Sequence, residues 1–128
     1  MIVKDRKQIC ALVVWRLPHG DFVAVDTTGE TMHCAADELQ EFETNERAAT
    51  RVAREKLGVD VISWQQAERP SEAQVMVAVL DEAPLALTAD AHWVDVEQLP
   101  MLTVITGTTD LLEAYLALQE FNRESATH

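Results

Sequence analysis

Residues 43–59 read ETNERAATRVAREKLGV. At about 100° per residue, Ala48, Ala49, Val52, Ala53 and Leu57 fall on one half of a helix, and Arg47, Thr50, Arg51 and Arg54 fall on the other. The pattern predicts a helix from about Asn45 to Leu57. Thr44 or Asn45 can cap its start, and Gly58 supplies a left-handed stop. Glu46 lies in the first turn, where an acid suits the helix dipole. Arg51 and Glu55 lie four residues apart and can pair. Lys56 projects between Val52 and Ala49, inside the apolar arc. A lysine there must snorkel, find a partner or face a cleft.

Outward from this helix the chain alternates apolar runs with turn signals. Residues 8–17, QICALVVWRL, read as a strand buried on both faces. FVAVD (22–26) and TMHCA (31–35) follow as strands across the turns LPHGD and TTGE, and ADELQEFET (36–44) is an acidic connection into the helix. After Gly58, residues 59–68, 73–82 and 91–96 read as strands, and Pro18, Pro70, Pro84 and Pro100 punctuate the periodic segments. A last helix spans about Thr109 to Phe121, with Leu111, Leu112, Tyr115, Leu116, Leu118 and Phe121 at helical spacing, and the tail 122–128 frays. Runs of strands with few helices make this an α+β chain with a mixed sheet.

The chain has 128 residues, 48% of them hydrophobic, which suits a single domain over 1–128 with one core. Ten basic residues against 22 acidic ones give a formal charge of −12. That field repels nucleic-acid backbones and anionic membranes, so neither is an expected partner. No apolar run approaches the ~18 residues of a membrane span, and the N-terminal apolar patch reads as a strand and not a secretory leader, so a cytoplasmic location is expected. Cys10 and Cys34 show no CxxC spacing; buried thiols and a cross-strand disulfide both fit the count. His19, His33, His92 and His128 lack metal-ligand spacing, and no nucleophile elbow or Gly-rich phosphate loop occurs. Trp15, Trp64 and Trp93 suit core or cleft walls.

The central stretch resembles the signature of the Nudix superfamily, G-x5-E-x7-R-E-U-x-E-E-x-G-U, where U is a bulky aliphatic. Glu43 matches the first glutamate, Arg51 the arginine, Glu55 the first member of the later acidic pair, and Gly58 and Val59 the close, all without an insertion. WVDVEQL (93–99) before Pro100 is similar to the family's segment ahead of its last helix, and TGTTDLLEAYLAL to that helix. The resemblance implies a mixed β-sheet packed between helices, with Glu43, Gly58 and Val59 as structural parts of the box. It also admits a homodimer, since many members of the fold pair.

The departures from the signature are specific. Asp37 stands for the opening glycine, Phe42 for the glycine before the first glutamate, Val52 for the glutamate after the arginine, and Lys56 for the second member of the acidic pair. The family uses the helix carboxylates to hold Mg²⁺ or Mn²⁺ on a diphosphate, and the resemblance places Val52, Glu55 and Lys56 on the face that looks into the cleft. A hard divalent cation wants several oxygen ligands, and without one the developing phosphoryl charge loses its stabiliser. Metal-dependent hydrolysis is therefore expected to be weak or lost, with no resident cofactor. The retained role is binding a nucleotide-like or phosphorylated small molecule through Arg51, Glu55 and Lys56, or a protein partner. Lys56 would then serve as a fixed point charge for phosphate. Arg47, Arg51, Arg54 and Lys56 place four of the chain's ten basic residues on one helix. The helix-surface reading pairs the arginines with Glu43, Glu46 and Glu55. The alternative is an active hydrolase of a nucleoside diphosphate linked to another group, with Mg²⁺ or Mn²⁺ held by Glu55, Glu43 and loop acids such as Asp37, Glu38, Glu41, Asp81, Glu82 or Asp90.

Overall fold

The computed structural model describes residues 8–27, 32–61, 63–67, 73–80, 87–107 and 109–126. The first strand, β1 (Gln8–Leu17), is apolar from Ile9 to Trp15, and its buried stretch Ile9–Val14 is covered on both faces. Ile9, Ala11 and Val13 enter one core with Ala48, Ala49, Val52, Ala53 and Leu57 of the central helix. Cys10, Leu12 and Val14 enter a second core with Leu99, Leu111, Ala114, Ala117 and Leu118 near the C-terminus. Each fully buried aliphatic side chain contributes about 1.5–3 kcal/mol.

One edge of β1 runs parallel to β5 (Ala73–Leu80), from Gln8 opposite Ala73 to Trp15 opposite Leu80. The other edge is divided between two antiparallel partners. Its start pairs with β3 (His33–Glu38) and its end with β2 (Gly20–Asp26). β6 (Ala91–Asp95) joins β2, and the short β4 (Gln65–Gln66) joins β5, completing a six-stranded sheet in the order β4-β5-β1-β3-β2-β6. The expected α+β architecture, a mixed sheet packed between helices, is the one observed.

Three expectations change. The third strand includes Ala36, Asp37 and Glu38, because the first half of β1 draws them into its ladder, so the acidic connection starts later. The expected strand 59–68 shrinks to β4. Val59, Val61 and Trp64 are buried beneath the central helix instead, where the Thr50 hydroxyl donates to the Val61 carbonyl (2.9 Å) and accepts from Trp64 Nε1 (3.0 Å). A helix not foreseen, α2 (Leu99–Thr106), precedes the last one, α3 (Thr109–Ala126), which runs on through residues expected to fray. The β-branched run Thr103–Thr106 hides α2 from propensity reasoning. Pro100 in its first turn and Gly107 in the left-handed conformation nonetheless mark its ends.

The central helix α1 (Asn45–Val52) is capped by the Thr44 hydroxyl, which accepts from the Arg47 amide at 3.1 Å. It continues as a wider π-helical turn over Ala53–Leu57 and stops at Gly58. There the Val59 amide reaches back to the Ala53 carbonyl and the Gly58 amide to that of Arg54, each at 3.2 Å. Glycine is required at Gly58 for two reasons. Its φ of 77° is left-handed, and an added Cβ would lie 3.0 Å from the Thr88 nitrogen, whose amide donates to the Leu57 carbonyl. Gly58→Ala should cost about 2 kcal/mol, from left-handed strain plus that contact. Chemical denaturation would measure it, and a loss below half that size would mean the turn relaxes.

Candidate functional site

The site is the loop between β3 and α1 together with the π-helical turn. Arg51 holds the loop shut. Its Nε and Nη2 donate to both carboxylate oxygens of Glu43 at 2.9 and 3.0 Å, a bidentate pair. Nη2 also donates to the Glu38 carbonyl at 2.9 Å, and Nη1 donates to Asp37 at 3.2 Å and lies 3.6 Å from Glu55. The second Glu43 oxygen contact reaches across the loop, because Oε1 also accepts from the Gln40 amide at 3.0 Å. The Arg51 and Glu43 side chains are only 17% and 13% exposed. Every donor direction of the guanidinium is thus directed at the loop or at Glu55.

This arrangement sorts the expected site residues. Glu43 and Arg51 come together, with Glu43 bracing the loop as the box resemblance implies. Arg51, expected to contact a ligand, is engaged internally. Gly58 and Val59 close the helix as expected. Asp37, at the place of a glycine, is a further partner of Arg51 that spacing alone did not reveal; the acid-rich loop was the available signal. Arg54 pairs with Asp60 at 2.8 Å and not with a helix glutamate. Phe42, where the signature has a glycine, takes a φ of 65°, a left-handed conformation that glycine adopts far more readily.

Val52 corrects an expectation. Its side chain is fully enclosed in the core shared with Val13, Ala49 and Leu57, and does not look into a cleft. Lys56 lies in the π-helical turn Ala53–Leu57. In a π-helical turn each residue advances by a smaller angle than in an α-helix, so the 100° projection fails there. Lys56 is half-buried, and among the described residues it makes no hydrogen bond or ion pair. Its charge is nonetheless felt at Asp37. Glu55 is 56% exposed beside it.

The electrostatics follow from these contacts. Asp37 sits below its ordinary carboxylate range, first because the Glu38 amide donates to it at 2.8 Å and then because Arg51 lies beside it. Glu43 is lowered mainly by its hydrogen bonds from Arg51, and the Arg51 guanidinium is held more firmly protonated in return. Carboxylates lowered in the folded state stabilise it above their unfolded values of about 3.9 and 4.3. That stabilisation is lost as pH falls through the lower folded values. Melting temperature should therefore drop more steeply between pH 5 and 3, values of about one unit either side of those pKa values, in the native protein than in Glu43→Gln. Parallel curves would mean that Glu43 is not titrating against Arg51.

A divalent cation does not fit this set. Asp37 and Glu43 are turned onto a guanidinium, Val52 is apolar and enclosed, and Lys56 brings a positive charge to the remaining carboxylate, Glu55. No group of three or more His, Cys, Asp or Glu among the described residues could hold a metal ion. Asp90, in a turn, accepts at its carbonyl from the Thr27 amide, and Asp81 and Glu82 lie outside the described residues.

The remaining candidates have structural places. Cys10 and Cys34 are buried thiols. Trp64 is core, whereas Trp15 packs edge-on against Trp93 with centroids 5.8 Å apart. His92 Nδ1 lies 3.0 Å from the Thr27 hydroxyl. No helix among the described residues is long and apolar enough to cross a membrane.

No family model and no curated protein matches the sequence. Solved structures do match the fold. An Ap4A hydrolase from C. elegans aligns over 92% of this chain and 96% of its own, with a TM-score of 0.67 and 14% identity. RenU, a Nudix hydrolase from M. smegmatis, aligns over 93% and 87%, with a TM-score of 0.68 and 15% identity. The NUDIX domain of Shewanella oneidensis NrtR, complexed with ADP ribose, aligns over 92% and 89%, with a TM-score of 0.66 and 14% identity. At such identities the likeness is one of fold.

Proposed function

We propose that this chain, a Nudix fold whose box arginine is enclosed by carboxylates, binds a nucleotide-like or phosphorylated small molecule without metal and hydrolyses it weakly or not at all. The observation that carries the reading is Lys56. A half-buried lysine whose side chain has no direct partner among the described residues, next to a loop fixed by Arg51, is suited to hold a phosphate oxygen as a point charge. Glu55 beside it limits the anionic charge the site accepts, so a diphosphate ester suits it better than a triphosphate. The NUDIX domain of NrtR supplies a first probe, because that protein is complexed with ADP ribose. A cytoplasmic setting agrees with two buried thiols and with a soluble phosphorylated ligand.

The test is a thermal-shift screen of ADP-ribose, dinucleotides, nucleoside triphosphates and sugar nucleotides, each with Mg²⁺, with Mn²⁺ and with EDTA. Product release is followed in the same samples. At ligand near 100 times its Kd, a rise of about 10 °C is expected that survives EDTA and is lost in Lys56→Ala. Metal-dependent turnover that disappears in Glu55→Gln would sink this reading and establish a hydrolase with rearranged ligands.

A further inference from the structure

Phe42 occupies a place that neither packing nor backbone preference rewards. Its ring is 93% exposed and belongs to neither hydrophobic core. Its φ of 65° is left-handed, which makes a bulky side chain there a steric outlier. The turn beneath the ring is closed. The Glu43 amide donates to the Gln40 carbonyl at 3.1 Å, and the Gln40 amide donates to Glu43 Oε1 at 3.0 Å. Phe42 fills the third place of this turn, the one that favours glycine. Arg51 in turn clamps the Glu43 carboxylate. A fixed turn thus presents a bare aromatic face to solvent. Among the described residues no other aromatic side chain is exposed, and Trp15 packs against Phe22 and Trp93.

We infer that Phe42 stacks on the base of a nucleotide, so that the ligand is a nucleoside diphosphate ester and not a base-free phosphate. This role rests on the reading of Lys56 as the charge that holds phosphate. The turn is tied through Glu43 and Arg51 to Glu55, which lies 3.6 Å from the guanidinium and precedes Lys56 in the chain. Charge then separates the two ends of the ligand. Glu38 and Glu41 are exposed on the loop that carries Phe42, and Glu43 follows the ring in the chain, so this rim repels phosphate. The phosphates go to Lys56, and the part of the ligand above Phe42 is uncharged. An exposed ring gains most there from a second flat face, and base–aromatic stacking supplies one. A sugar phosphate or an alkyl phosphate has no such face.

Calorimetric titration of the full chain with ADP-ribose and with methyl diphosphate, a base-free diphosphate ester, both in EDTA, tests this role. Phe42→Gly should weaken ADP-ribose about tenfold and leave methyl diphosphate unchanged, whereas Lys56→Ala should weaken both. Phe42→Trp should keep the affinity for ADP-ribose, and the fluorescence of the added indole should be quenched by ADP-ribose and not by methyl diphosphate. Because glycine suits the left-handed turn, Phe42→Gly should melt no lower than the native protein. If Phe42→Gly binds ADP-ribose as the native protein does while Lys56→Ala does not, the stacking role is overturned and the phosphate site stands. An equal loss of both ligands in Phe42→Gly, or a lower melting temperature, would make the ring a support of the loop and overturn the role as well. Native protein that binds neither ligand would remove the phosphate site, and the stacking role with it.

Discussion

Replacing Val52 with glutamate, the residue that the resembled signature has at this place, is expected to lower the melting temperature by ~10 °C or more. It is also expected to leave metal-dependent hydrolysis no higher. The reason is the site the side chain would enter. Val52 has no exposed surface and sits among Ile9, Val13, Ala49 and Leu57. A glutamate there overfills the core and must either bury a charge or stay protonated with its carboxyl unmatched. Mechanisms of this kind reach about 3–5 kcal/mol. Two comparison variants separate the causes. Val52→Ile adds volume without polarity and should cost less, whereas Val52→Gln has the glutamate's size without its charge and should recover part of the loss. A Val52→Glu protein that melts near the native temperature and gains Mg²⁺-dependent turnover would show that the core opens at this point and that the box can be repaired by one residue.

Arg51→Leu carries the second large effect. It removes the cation from a cluster in which Glu43 is mostly buried and Asp37 and Glu55 face the same guanidinium. Breaking a buried pair by deleting one partner costs about 3–5 kcal/mol, and the partial exposure here places the expected loss at the lower end. Arg51→Lys should recover only a minor part, because an ammonium cannot match the bidentate Glu43 contact and the Glu38 carbonyl together. The pH response should change sign. Native stability falls as acid titrates the lowered Asp37 and Glu43. Without Arg51, the same carboxylates repel each other and Glu43 suffers desolvation, so mild acid should stabilise the variant. Denaturation at several pH values reads both the loss and the reversal. A variant that loses stability on acidification in parallel with the native protein would show that the loop is held by something other than this ion cluster.

The sequence by itself carried the frame. Apolar continuity of residues 8–17 marked a strand covered on both faces, and the helical spacing from Ala48 to Leu57, closed by Gly58, marked the helix that covers one of them. Those features are local, since they follow from side-chain periodicity and from a backbone conformation that only glycine takes easily. The pairing of Glu43 with Arg51 was legible only through the resemblance to the box signature, which implies a structural role for Glu43; periodicity alone did not single it out from Glu46 and Glu55. The tertiary structure decided the rest. Val59, Val61 and Trp64 have the composition of a strand, but burial under α1 and the Thr50 hydroxyl direct them to the helix and away from the sheet. Helix α2 exists despite its β-branched residues because Leu99 is anchored in the second core. The 100° projection put Lys56 in an apolar arc, but the residue lies in a π-helical turn, where that projection does not hold. Whether a carboxylate faces a metal, an arginine or a core depends on distances between segments far apart in the chain. Only packing fixes those distances, and here it turns Glu43 and Asp37 onto the guanidinium of Arg51 and encloses Val52 in the core.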